Sequence, residues 1–269
     1  MRRFSIGCLV ATAVSSALPA QTPGQAALLA RAQARGALIY AYDQAAWHGT
    51  DDLFAKLPHP EERVGGYVVD GPASAPRLVF YDKMASKAVY VAHFAGNRLT
   101  DAKLLGDADD VSLSPLDHRL IAARATASRA LAADRSVFTC AAKPFNTVVL
   151  PPDTAEGPVS VYFLTPQTSN DAIPFGGHYQ VDVDAAGRAG TVRPFSKSCI
   201  AAPTHPKLPK GSTPSMFVVT SVLDAVPTEV HVFASLALRL PVGVVTGGTA
   251  PQVWPVTGGT IGAPITIKR

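Results

Sequence analysis

Proline and glycine cut the second half of the chain into short apolar runs, and that punctuation favours short strands joined by turns. From Phe145 onward the runs are residues 147–150, 159–164, 178–183, 191–195, 216–223, 230–238 and 242–246. Val, Tyr and Phe are prominent in them, the residue types that suit a pleated, half-buried surface. Residues 184–187 supply a tight turn between the third and fourth runs, predicting a hairpin. The proline-rich stretch 201–215 reads as a stiff connector that no hairpin can use. Thr246-Gly247-Gly248-Thr249 recurs as Thr257-Gly258-Gly259-Thr260 around Trp254. Two Gly-Gly turns flanking a strand account for it, and Pro251 and Pro255 argue against a phosphate-binding helix start.

The first half has a different texture. Residues 25–47 are rich in alanine, with Leu28, Leu38, Ile39 and Tyr42 set against Arg31, Arg35 and Asp43, as in an amphipathic helix. Gly36 is expected to kink or split it and Gly49 to end it. Thr50 or Asp51 then caps a second short helix that stops before Pro58 and Pro60. Beyond Gly65-Gly66 the runs 67–69, 78–81, 89–94 and 99–105 predict an antiparallel sheet, the last two joined by the turn Ala95-Gly96-Asn97-Arg98. A further helix is specified by Ser114 as cap, Pro115 in its first position and Asp117 three residues after the cap, and runs to about Leu131. Laying Tyr90 on Tyr179 aligns two hairpins, but strand patterns converge easily, so duplication is the weaker reading.

The amino end has three zones in order: a basic start at Arg2 and Arg3, an apolar stretch from Ile6 to about Val14, and small residues up to Ala20. That order is the one of a cleavable export signal, with cleavage after Ala17 or Ala20 both open. The stretch is far short of the roughly 20 residues that span a bilayer, and no later run reaches that length without Pro, Gly or charge, so no transmembrane segment is expected. Cys8 has too few residues before it to serve as a lipoprotein site. Two of the cations behind the formal net charge of +4 lie in this export segment. No basic run or arginine-rich face remains for neutralising phosphates, which argues against nucleic acid as a partner.

Outside the export segment the cysteines are Cys140 and Cys199. In an oxidising compartment they are expected to pair, closing a loop of roughly 60 residues worth on the order of 4 kcal/mol by the chain-entropy argument. A periplasmic or secreted location follows from the two features together.

Candidate chemistry is sparse. His178, Gln180, Asp182 and Asp184 alternate and so share one strand face, where a His and carboxylates could bind metal or move protons. The plainer reading, preferred here, is the solvated face of a half-buried hairpin. Glu229 and His231 are read as sharing a strand face that leads into a hydrophobic stretch, where burial would perturb both groups. Asp224 could join Ser221 or Ser235 in a Ser/His/Asp set, but neither serine sits in a Gly-x-Ser-x-Gly elbow. Around Asp43, Trp47, His48, Asp51 and Asp52, capping explains the two later carboxylates and a core anchor explains Trp47. His59, His93, His118 and His205 fall at no zinc-ligand spacing. Neither a metal nor a cofactor is expected.

The strings Lys143-Pro144-Phe145-Asn146-Thr147, Pro174-Phe175-Gly176-Gly177-His178-Tyr179 and Arg193-Pro194-Phe195-Ser196-Lys197-Ser198-Cys199 resemble a family of exported bacterial proteins of unassigned function. The resemblance spans mainly residues 140–254. It implies export and carries no activity.

These readings combine into an α+β protein with antiparallel sheet, amino-terminal helices and one mid-chain helix. The chain divides into an export segment (1–20), a helical hairpin with sheet and helix (21–135), and a strand-rich region (136–269) that allows a second sheet packed on the first. One domain or two both remain open, with any boundary near 132–144. The expected function is a non-enzymatic binding or envelope-associated protein, whose partner is a small molecule or an envelope protein. The alternative is a hydrolase using His178/Asp182 or Glu229/His231.

Overall fold

The computed structural model describes residues 23–106, 108–207, 209–247 and 250–266, so residues 1–20, where an export segment was expected, and part of the first Gly-Gly repeat lie outside it. The fold is α+β. Its first element, α1 (Pro23–Lys56), is one continuous helix where two were expected. Gly36 and Gly49 neither interrupt nor end it, and both are sites of close approach: a Cβ on Gly36 would overlap Val232, and one on Gly49 would overlap Leu78. A glycine inside a helix costs about 1 kcal/mol against alanine. Here that cost is offset by letting neighbouring elements sit against the helix backbone. With the helix unbroken, Asp51 and Asp52 cap nothing. Asp52 instead accepts from the Tyr90 hydroxyl at 2.6 Å and pairs with Lys56 at 2.8 Å.

After a single turn, α2 (Pro60–Arg63), four strands follow: β1 (Val64–Asp70), β2 (Arg77–Asp82), β3 (Ala88–Ala95) and β4 (Arg98–Leu104). They pair consecutively and antiparallel, with the anticipated turn at Gly96. Helix α3 (Pro115–Ala133) begins with the expected capping box: the Ser114 hydroxyl accepts from the Asp117 N–H, and the Asp117 carboxylate accepts from the Ser114 N–H. Arg77 reaches the other Asp117 oxygen at 2.7 Å and also holds Asp70, tying the helix start to the edge of the sheet.

A second antiparallel sheet runs β5 (Asn146–Leu150), β6 (Val159–Leu164), β8 (Tyr179–Val183), β9 (Arg193–Pro194). The expected turn at 184–187 is present, held by the Gly187 N–H donating to the Asp184 carbonyl. Between β6 and β8 lies β7 (Ala172–Pro174), which pairs with β10 (Ala201–Pro203), so the proline-rich connector begins as a short strand. The last sheet orders β11 (Phe217–Thr220), β12 (Val242–Thr246), β13 (Gln252–Thr257) and β14 (Thr260–Ile261), with β15 (Ile265–Thr266) also on β13.

Two features of this last sheet depart from the expected pattern. Residues 230–238 form a helix, α4 (Glu229–Leu238), not a strand, and β11 pairs with β12 in parallel. The two facts are linked, since parallel neighbours need a crossover and α4 is that crossover. Val230, His231, Val232, Phe233, Ala234 and Ser235 are all buried, so the helix is apolar almost all round and leaves no 3.6-residue stripe to read.

The second sheet is covered on both faces. Val161, Phe163, Tyr179 and Val181 pack with Leu120, Ala123, Ala127 and Leu131 of α3. On the other face Tyr162 and Leu164 belong to a core with Ile39 and Tyr42 of α1, Val232 of α4 and Trp254 of β13. That second core joins residues from both sides of the 132–144 region.

Cys140 and Cys199 are bonded, their Cα atoms 5.5 Å apart, across a sequence separation of 59. Replacing both with serine is expected to cost about 2–5 kcal/mol of unfolding free energy. Urea denaturation of the variant beside the oxidised protein measures this, and equal midpoints would show that the staple contributes nothing.

Candidate functional site

The polar residues singled out in the sequence converge on the α1/α4 side of the second sheet. His178 and Gln180 are buried there, not solvated as expected, because α1 and α4 cover a face that a simple hairpin would leave to water. Once covered, the polar groups satisfy one another. The Arg35 Nε donates to the Tyr162 hydroxyl at 2.9 Å, and that hydroxyl donates to Glu229 Oε1 at 2.9 Å. Arg193 stands 3.5 Å from the same oxygen and donates to Asp224 Oδ1 at 2.7 Å and to the Gln180 side-chain Oε1 at 3.4 Å. Gln180 in turn donates to Asp182 at 2.8 Å, which also accepts from Ser160. Burial, and then the charge of Glu229, hold the Tyr162 hydroxyl well above its ordinary pKa. The network ties α1, β6, β8, β9 and α4 together.

The imidazoles serve the backbone. His178 Nδ1 accepts the Thr165 N–H at 3.0 Å, and its Nε2 lies 3.3 Å from the Pro174 carbonyl, to which it donates as the neutral tautomer. His231 does not share a strand face with Glu229. Both lie in the first turn of α4, where His231 Nδ1 accepts the Thr228 N–H at 3.1 Å as part of the helix cap. Burial lowers both to a pKa of about 4, His231 with a further push from His178 and Arg193. They are neutral near pH 7.

A general base must reach the proton it takes, and the serines proposed as partners are engaged elsewhere or alone. Ser235 donates to the Val232 carbonyl at 2.9 Å, while the Ser221 hydroxyl, Asp224 Oδ2 and one Arg35 nitrogen have no partner among the described residues. Asp184 lies apart, paired with Arg188 at 2.9 Å. Trp47 is 60% exposed and stacks on His48, so it anchors no core. Burial raises the pKa of Asp43 to about 6, partly countered by hydrogen bonds to Gln44 and Asn146. Among the described residues no three metal-ligating side chains gather.

A different place offers room. Where the carboxyl half of α3 passes over β5 and β6, Ser128, Leu131, Ala132, Val137, Phe145, Thr147 and Phe163 line a broad, open cavity of about 340 Å³ at the surface. Its walls are held from behind. The Tyr179 hydroxyl accepts the Phe138 N–H at 2.9 Å and donates to the Phe138 carbonyl at 3.1 Å, and Phe145 packs edge-on against Phe163 and Tyr179. The Cys140–Cys199 bond fastens the loop that follows. This open depression, apolar apart from Ser128 and Thr147, has a volume within the size range of small-molecule sites. Sequence reading passed over it. Its only local signal was Phe145 in Lys143-Pro144-Phe145, which is unremarkable until α3 is laid across the strand.

No family model matches the chain, nor does any curated protein or solved structure. No helix among the described residues is long and apolar enough to cross a membrane.

Proposed function

We propose that the protein is an exported, non-enzymatic binding protein that works outside the cytoplasm and holds the apolar part of a small molecule. The carrying observation is the cavity of about 340 Å³ beneath the end of α3, backed by the Tyr179 and disulfide anchors. Export is supported by the order of charge and hydropathy in residues 1–20 and by the pairing of Cys140 with Cys199. The alternative, a hydrolase using His178/Asp182 or Glu229/His231, draws no support from the geometry, because both imidazoles are committed to backbone groups.

Calorimetric titration with straight-chain alkanols tests the binding reading. Each added methylene buried in the cavity contributes about 0.8 kcal/mol, so affinity is expected to rise roughly fourfold per carbon until the cavity is full. Ala132→Trp, at an exposed helix position on the cavity wall, should weaken decanol binding at least tenfold without unfolding the protein. Absence of saturable binding, or a flat dependence on chain length, would remove the proposal.

A further inference from the structure

The cavity wall is apolar, but the segments that frame it carry unpaired positive charge. Arg135 stands two residues before Val137 and three after Ala132, and Lys143 stands two residues before Phe145. Val137, Ala132 and Phe145 all line the cavity. Two residues of chain span at most about 7 Å, within reach of a long cationic side chain. Both cations are exposed, and neither has a hydrogen-bond or ion-pair partner among the described residues. The one acid beside them, Asp134, immediately precedes Arg135 and accepts from the Ser136 hydroxyl at 2.7 Å and the Ser136 N–H at 2.8 Å, so the two cations outnumber it. Of the other cations on these segments, Arg129 is spent on Thr126 and Arg124 on Tyr67 and Tyr81.

An apolar slot with free cations on its flanks is complementary to a molecule with a hydrocarbon body and an acidic end. We propose that the cavity takes a single-chain anionic amphiphile, its chain against Leu131, Phe145 and Phe163 and its acid head between Arg135 and Lys143. This rests on the binding reading above and specifies its ligand class. A neutral apolar ligand would gain nothing from the two cations. An amphiphile of opposite charge would be repelled by them.

Titration calorimetry with decanoate, decanol and decyltrimethylammonium at pH 7 and low salt separates the two levels. Decanoate is expected to bind about tenfold tighter than decanol, the combined effect of two exposed ion pairs, and decyltrimethylammonium weaker than either. In the Arg135→Gln/Lys143→Gln variant decanoate should fall to the level of decanol, while decanol binding is unchanged. Added salt should shrink the decanoate preference in the wild type. Equal affinities for decanoate and decanol in the wild type would overturn the ligand class and leave the cavity reading standing. If none of the three binds, both are overturned.

Discussion

Replacing Glu229 with alanine is expected to destabilise the protein by about 2–3 kcal/mol, the range for losing a hydrogen bond to a charged group and leaving its buried donor unsatisfied. Glu229 is the acceptor to which the Tyr162 hydroxyl donates, and it stands 3.5 Å from Arg193. Through Tyr162 it also balances Arg35, a guanidinium in the core with one nitrogen already unpartnered. Without the carboxylate, Tyr162 loses its acceptor and Arg35 keeps only the smaller attraction of Asp182, and the strain falls on the joint between α1, β6 and α4. Urea unfolding of Glu229→Ala, Arg35→Met and the double variant forms a cycle that isolates the coupling. The double variant should be less damaged than the summed single losses by at least 1 kcal/mol, since the second change removes the orphaned charge left by the first. Strict additivity would show that the two groups do not sense each other.

Acidification from pH 6.5 to 4 should lower the unfolding free energy by about 3–4 kcal/mol. The sign follows from His178 and His231, whose folded pKa of about 4 lies below that of an ordinary histidine. Between the two values the unfolded chain binds more protons, so stability is full above about pH 6.5 and is lost as pH falls toward 4. Each imidazole contributes about 3 kcal/mol to that loss. Asp43 works in the opposite sense. Its folded pKa of about 6 is above that of a free carboxyl, so the native state takes its proton first and gains up to about 3 kcal/mol over the same interval. Asp43→Asn should therefore deepen the acid loss to about 6 kcal/mol, and His178→Gln should reduce it. Chemical denaturation at the two pH values measures each slope. The lower limit stays at pH 4 because carboxylates such as Asp184, held below the usual range by the Arg188 N–H and guanidinium, add their own loss only further down. A rise in unfolding free energy on acidification, the result left if Asp43 acted alone, would mean that the imidazoles are not closed off from water.

The two predictions describe the same construction from different sides. A layer of sheet with polar side chains on it has been buried beneath two helices, and the polar groups are held by one another and by the backbone. The cost of that burial explains why His178 and Glu229 look like chemistry in the sequence and act as fasteners in the structure. The cavity under α3 is built from the reverse materials, aliphatic and aromatic groups around free space. The binding reading rests there for that reason.

Much of the fold was legible because its signals are local. The first sheet followed from short apolar runs with a turn at Gly96, and α3 from Ser114, Pro115 and Asp117, whose capping bonds form within a few residues. The strands at β5, β6 and β8 were equally readable, as was the turn after Asp184. The errors arose where partners distant in sequence decide. Gly36 and Gly49 read as breaks until Val232 and Leu78 arrive against them. Residues 229–238 alternate like a strand, yet become a helix because β11 and β12 lie parallel and must be bridged. His178 and Gln180 read as a wet face until α1 and α4 cover it. Local pattern determined which segments could be helix or strand and how they begin and end. Only packing determined which faces lost water, because burial is a property of pairs of elements, and no single run of residues carries the identity of its neighbour.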